Sequence, residues 1–218
     1  MSEQSVFIQI DADAEIAKIV MKLNKLSYEM SNSILKNSIN AAARKVRKQI
    51  VIDAQGEYAI KNKSILRKQA EGAPKLYTAK TSNLTAEIKS RGPMQDIMSF
   101  MTRPNTQTGA AAAKVLNSSS LKPLEIHGIK AFVTRFASGH IAIVQRNPPN
   151  LYSTSAGRQA RAFQYGPQAD MTKIKKLLSP AVPHMLGNEE VRGKAEELLQ
   201  EILDVEIRKR IDKINAGE

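Results

Sequence analysis

The chain has 218 residues, with 33 Lys+Arg against 21 Asp+Glu, a net charge of +12, no Cys, no Trp and five each of Phe and Tyr. Without cysteine there is no disulfide framework, thiolate zinc site, iron–sulfur cluster or cysteine nucleophile. At 42% hydrophobic and 25% charged residues the chain is too apolar for wholesale disorder, and a chain of this length buries roughly 70% of its unfolded surface.

No stretch approaches the ~18 consecutive apolar residues of a membrane span. The run Met1-Ser2-Glu3-Gln4-Ser5 lacks the basic and apolar regions of a signal peptide. Both observations suggest a chain made in a reducing cytoplasm, with no membrane partner.

The charge is not spread evenly. Residues 1–60 are net +1, residues 61–186 carry 19 basic and 5 acidic side chains, and residues 187–218 are net −3. A basic body between a near-neutral start and an acidic end suits a polyanion, either nucleic acid or an acidic protein surface.

In chain order, Val6–Ile10 is a short β-prone run. Asp13 can cap a helix with Ile16, Ile19, Val20, Leu23 and Leu26 at helical spacing. A longer helix starts near Ser27 or Ser31, with Leu35, Ile39, Ala42, Val46 and Ile50 in one stripe and Gly56 as its end or bend. A short third helix is expected from Asn62 or Ser64 to Ala70, stopped by Gly72 and Pro74. Leu76–Ala79, Leu84–Lys89, Ile97–Met101 and Ala112–Leu116 read as strands. Residues 102–110 read as a loop and Asn117–Ser120 as a turn. Ala131–Phe136 and His140–Arg146, around Ser138-Gly139, make the clearest hairpin. Residues 147–161 form a second long loop, and Ala162–Tyr165 and Met171–Ile174 read as short strands.

Pro180 and Pro183 forbid a regular helix through Leu177–Gly187. Asn188 then caps the last helix, with Glu189 and Glu190 in its first turn. Val191, Ala195, Leu198, Ile202, Val205, Ile207, Ile211 and Ile214 form its predicted apolar stripe. Helices first, strands next and one long helix last argue an α+β class. The expected fold is one domain: an antiparallel sheet packed against N-terminal helices and a long C-terminal helix. Residues 1–72 are mainly helical, 73–178 mainly strands with two long loops, and 188–215 the final helix.

The sequence offers little for catalysis. His127, His140 and His184 share no metal-binding spacing, and no carboxylate cluster accompanies them. Neither phosphate-binding glycine loop is present. Glu71, Glu87, Asp96, Glu125 and Asp170 are the only acids of the basic body, few for a hydrolase. No catalytic residue, cofactor or metal is therefore expected. The candidate polyanion or ring-contact residues are two cation runs: Arg44, Lys45, Arg47 and Lys48 on the long helix, and Lys173, Lys175 and Lys176. Pro180, Pro183 and Gly187 are the candidate structural corner.

The helix Asn40-Ala41-Ala42-Ala43-Arg44-Lys45-Val46-Arg47 followed by Ile65-Leu66-Arg67-Lys68 resembles the N-terminal part of the minor tail protein Z family of tailed bacteriophages and prophages. The hairpin around Ser138–Val144 is similar to that family's strand pair. The segment Ser179–Asn188 resembles the family's G-P-S-V-P-x-M-L block before its last helix, with Ser179 where the family often has Gly and Ala181 where it often has Ser. The resemblance runs in islands over about residues 30–215, and the loops at 102–122 and 147–167 stand outside it. It implies a structural virion protein acting in tail completion as a head–tail connector component. Its partners would be other phage tail or connector proteins, in a homo-oligomeric, typically hexameric ring near the genomic DNA. Its place would be the head-proximal end of the virion tail, after assembly in the host cytoplasm. The alternative from charge alone is a nucleic-acid-binding protein without sequence preference.

Overall fold

A computed structural model describes residues 4–10, 28–66, 70–104, 108–126, 128–146 and 174–216. The elements in chain order are β1 (Gln4–Ile10), α1 (Tyr28–Glu57), β2 (Lys75–Tyr77), β3 (Ala86–Gly92), β4 (Met94–Asp96), β5 (Met101–Arg103), β6 (Thr108–Ala110), β7 (Ala112–Lys114), β8 (Lys122–Pro123), β9 (Glu125–Ile126), β10 (Ile129–Lys130), β11 (Phe132–Arg135), β12 (Ile141–Arg146), β13 (Ile174–Lys176), β14 (Leu178–Ala181), α2 (Val182–Leu186) and α3 (Glu189–Asn215). The class is mixed α+β, as the order of sequence patterns suggests. Where the sequence reads as one domain, the chain forms two compact units. The first contains residues 1–58, 63–94 and 180–218, and the second residues 59–62 and 95–179. Among the described residues, no helix is long and apolar enough to cross a membrane.

In the first unit, α1 runs 30 residues, about 45 Å at 1.5 Å per residue. Leu35, Ile39, Ala42, Val46 and Ile50 are all buried, and Ile34, Ala43 and Ala54 widen the stripe. Gly56 does not end the helix, which continues to Glu57. One face of α1 packs along α3, and the two run antiparallel. Asn37 meets Arg210, Lys45 meets Glu206, and Tyr58 meets Asn188.

The sheet of this unit has the order β1-β3-β2 and is antiparallel throughout. Its central strand β3 alternates cleanly. Ala86, Ile88, Ser90 and Gly92 are buried, while Lys89 and Arg91 are exposed, the period-2 pattern of a strand with one face on a core. The turn ahead of β2 packs tightly against the end of β3. Gly72 has φ +90, and a Cβ at Gly92 would lie 2.8 Å from Gly72 Cα. The Ser90 hydroxyl donates to Gly72 O at 2.5 Å.

The second unit is almost entirely β. Its sheets are β13-β12-β11-β6, β5-β7-β8 and the pair β10-β9. Ile97, Ala111, Ala113, Ala131, Val133 and Ile143 form its core, with Met98, Val115, Leu124, Ile141 and Leu177 against it. The predicted hairpin forms in register, Phe132 opposite Val144 and Arg135 opposite Ile141. Gly139 supplies the positive φ of 82° that the turn needs.

Several expectations are corrected. The third helix is a single 3-10 turn over Lys63–Leu66, and residues 67–69 lie outside the described part. Ile97–Ser99 is a 3-10 turn capped by Asp96 rather than a strand. The expected loop at 102–110 contains the end of β5 and all of β6, because both find antiparallel partners. Leu84 and Thr85 precede β3 rather than belong to it. The helix expected after Asp13, the loop at 147–161 and the strand at 162–165 fall outside the described residues.

Candidate functional site

The two cation runs fall in different units. On α1, Arg44 and Lys48 are exposed and Arg47 is half-buried. Lys45 is committed to an internal partner. Its Nζ lies 2.9 Å from Glu206 Oε1 of α3. Glu206 also accepts from Arg210 Nη1, one turn further along its own helix. The Glu206 side chain is only 11% exposed. Hydrogen bonds from Lys45 and then Arg210 hold its carboxyl down to about 2, against the smaller opposing effect of burial. The α1 run is thus two exposed cations, one half-buried cation and one that staples two helices.

In the second unit, Lys173 lies outside the described residues. Lys175 is exposed on β13. Lys176 Nζ pairs with Asp96 Oδ2 at 2.6 Å. That oxygen is also 3.6 Å from His140 Nε2, and Lys176 Nζ is 3.4 Å from the same ring nitrogen. The other Asp96 oxygen accepts from Met98 N at 2.9 Å. One carboxylate therefore caps a turn and gathers two basic groups.

The corner residues behave as packing. Pro183 occupies the first turn of α2, where its missing N–H costs nothing. Pro183, Val182, Met185 and Leu186 are buried, Pro180 is half-buried, and Leu178 is exposed. The Gly187 N–H closes the turn on Pro183 O at 2.9 Å. Asn188 Oδ1 then accepts from Glu190 N at 3.0 Å, capping α3 as its sequence position suggests. Its amide also donates to the Tyr58 hydroxyl at 3.3 Å. Burial pushes the Tyr58 phenol up, and the Asn188 bond partly offsets this.

Of the histidines, His184 is exposed, His140 sits in the Asp96 cluster, and His127 lies outside the described residues. Among the described residues, no group of three or more His, Asp or Glu is placed to hold a metal ion.

Three important residues escape sequence reasoning. Glu206 sits in a helix full of acids, and nothing local marks it as the buried one. Asn40 lies between apolar stripe positions of α1. Its amide donates to Ala79 O at 3.0 Å and its carbonyl accepts from Ala79 N at 2.7 Å. A lone buried Asn in a helical stripe is the one signal that could have found it. Asp96 acts through partners 44 and 80 positions away (His140 and Lys176).

No protein-family model matches the chain, and no curated protein or solved structure matches it either.

Proposed function

We propose that this chain is a structural protein of a bacteriophage or prophage tail, acting in tail completion and head–tail joining through protein–protein contacts. The observation that carries this reading is the 179–188 block. The segment that most resembles the minor tail protein Z family is a buried strand-to-helix corner, with Pro183, Met185 and Leu186 inside and Asn188 capping the long helix. A resemblance built on packing residues is what a conserved scaffold of an assembly protein would leave. The charge supports the same reading. The second unit carries 12 basic and 3 acidic residues, while residues 187–218 carry 9 acidic and 6 basic. A basic unit and a mildly acidic end on one chain favour head-to-tail contact between copies, which closes into a ring when the rotation allows. On this reading the protein is not an enzyme, and it belongs at the head-proximal end of the virion tail.

The test is co-production with the tail-tube and tail-terminator proteins of the same phage genome, followed by native mass measurement and negative-stain imaging. The expected result is rings, or tube ends capped by this protein. A chain that stays monomeric with every tail component, and whose deletion leaves infectious particles at normal yield, overturns the reading.

A further inference from the structure

One face of the sheet β5-β7-β8 is open and basic. Met101 lies opposite Lys114, and Arg103 opposite Ala112, which is itself opposite Pro123. Residues directly opposite share a face, so these five side chains lie together. The other face holds Thr102 and Ala113, both buried. On the open face Met101, Arg103 and Pro123 are exposed, and Ala112 and Lys114 are half-buried. Met101 is 51% exposed, and Leu121, just ahead of β8, is 37%. The face holds no acid, and neither Arg103 nor Lys114 makes an ion pair among the described residues.

The middle of α3 has the opposite character. Residues 195–207 contain five acids and no Lys, Arg or His. Glu196, Asp204 and Glu206 are paired within the chain, to Arg192, Arg208 and Lys45. Glu197 and Glu201 are exposed and make no ion pair among the described residues. They stand one turn apart on a line that continues to Val205, which is 56% exposed. Half-buried Leu198 and Ile202 flank that line. Each step along it is about 6 Å, close to the ~7 Å between Arg103 and Met101, two residues apart on β5.

We propose that copies of this chain join head to tail through these two surfaces, α3 of one copy seated on the β5-β7-β8 face of the next. Glu201 and Glu197 then meet Arg103 and Lys114, and Val205 rests on Met101. A second copy is the partner because the two surfaces match in sign and each sets an exposed apolar side chain beside its charges. A phosphate backbone would meet the cations but leave Met101, Leu121 and Pro123 in water, and the face has no aromatic ring on which a base could stack. The contact is heterologous, since neither surface complements itself. It rests on the head-to-tail assembly proposed above, whose surfaces it names.

The chain has no cysteine, so disulfide trapping between engineered thiols reports this contact without background. Met101→Cys and Val205→Cys, both at exposed positions, are made as separate full chains, mixed and oxidised. The disulfide joining the two variants should form at least about tenfold faster than one joining two copies of the same variant. Arg103→Glu with Lys114→Glu in the Met101→Cys chain should cut the mixed product about tenfold, and Glu197→Lys with Glu201→Lys in the Val205→Cys chain should restore it. Thermal melts check that every variant is folded. A mixed product no faster than the same-variant products, or one unmoved by charge reversal, overturns the contact. So does a labelled DNA strand that binds the chain in place of the disulfide and is lost on Arg103→Glu with Lys114→Glu, which assigns the face to nucleic acid. Trapping needs no tail protein, so its outcome is separate from the imaging of rings. Rings without the mixed product reject these surfaces and leave the tail reading standing, whereas the mixed product without rings keeps the contact and rejects the tail reading.

Discussion

Glu206 of α3 and Lys45 of α1, separated by 161 residues in the chain, meet at 2.9 Å across the helix pair. Arg210 completes the arrangement by donating to the Glu206 carboxylate and backbone carbonyl, and to Asn37 O on α1. The carboxylate is held at about 2 in the folded chain, against an ordinary value of 4.5. A lowered folded value contributes stability that is complete above the ordinary value and lost as pH falls toward the folded one. Stability should therefore fall between about pH 4.5 and pH 2 by an amount on the order of 2–3 kcal/mol from this group. Glu206→Gln should flatten that part of the pH profile in urea titrations, and Lys45→Met should flatten it partly.

Asn40 makes two hydrogen bonds to the backbone of Ala79 in a buried setting. Asn40→Ala leaves an N–H and a C=O without their partner, at a cost of about 2–3 kcal/mol. Chemical denaturation should show the loss as a lower midpoint with an unchanged slope.

The Gly72–Gly92 approach leaves no room for a side chain. Gly92→Ala pushes a methyl group against backbone rather than a flexible side chain, which should cost about 1–3 kcal/mol. Gly72→Ala meets Val182 Cβ at 2.9 Å and a positive φ together, so it should melt at least as early. Equal melting temperatures for wild type and Gly92→Ala would contradict this packing.

The corner acts through stability. Pro183→Ala and Asn188→Ala should each lower thermal stability, the second by about 1 kcal/mol through loss of the α3 cap. Differential scanning calorimetry reads both directly, and an unchanged melt in Pro183→Ala would remove the corner's structural role.

On α3, Leu203 is buried while Val205 is 56% exposed. Leu203→Ala should cost about 2–5 kcal/mol, whereas Val205→Ala should stay within about 0.5 kcal/mol. A matched pair of denaturation curves checks the rotation of this helix about its axis.

That helix shows where sequence reasoning ends. Its start, cap and length were legible, because Asn188, the first-turn glutamates and the apolar spacing are local signals. Its phase was legible only in part. Val191, Ala195 and Ile207 of the predicted stripe are buried and Leu198 and Ile202 half-buried, but Val205 is exposed, while Leu203 and Glu206, outside that stripe, are turned inward. Which stripe wins depends on the partner helix, whose Lys45 draws Glu206 into the interface.

The same division runs through the rest of the chain. The β11–β12 hairpin was readable from two β-branched runs around Ser138-Gly139, since turn chemistry and alternation act over a few residues. The α1 stripe was readable for the same reason, as was the confinement of positive charge to the middle of the chain. The tertiary structure decided which charges remain outward. It committed Lys45 to Glu206 and Lys176 to Asp96, left Arg44, Lys48 and Lys175 in solvent, and stacked Phe136 beside His140. Spacing along the chain sets periodicity, turns and caps. Ion pairs and shared faces depend on residues brought together from distant positions, and only the packed fold does that.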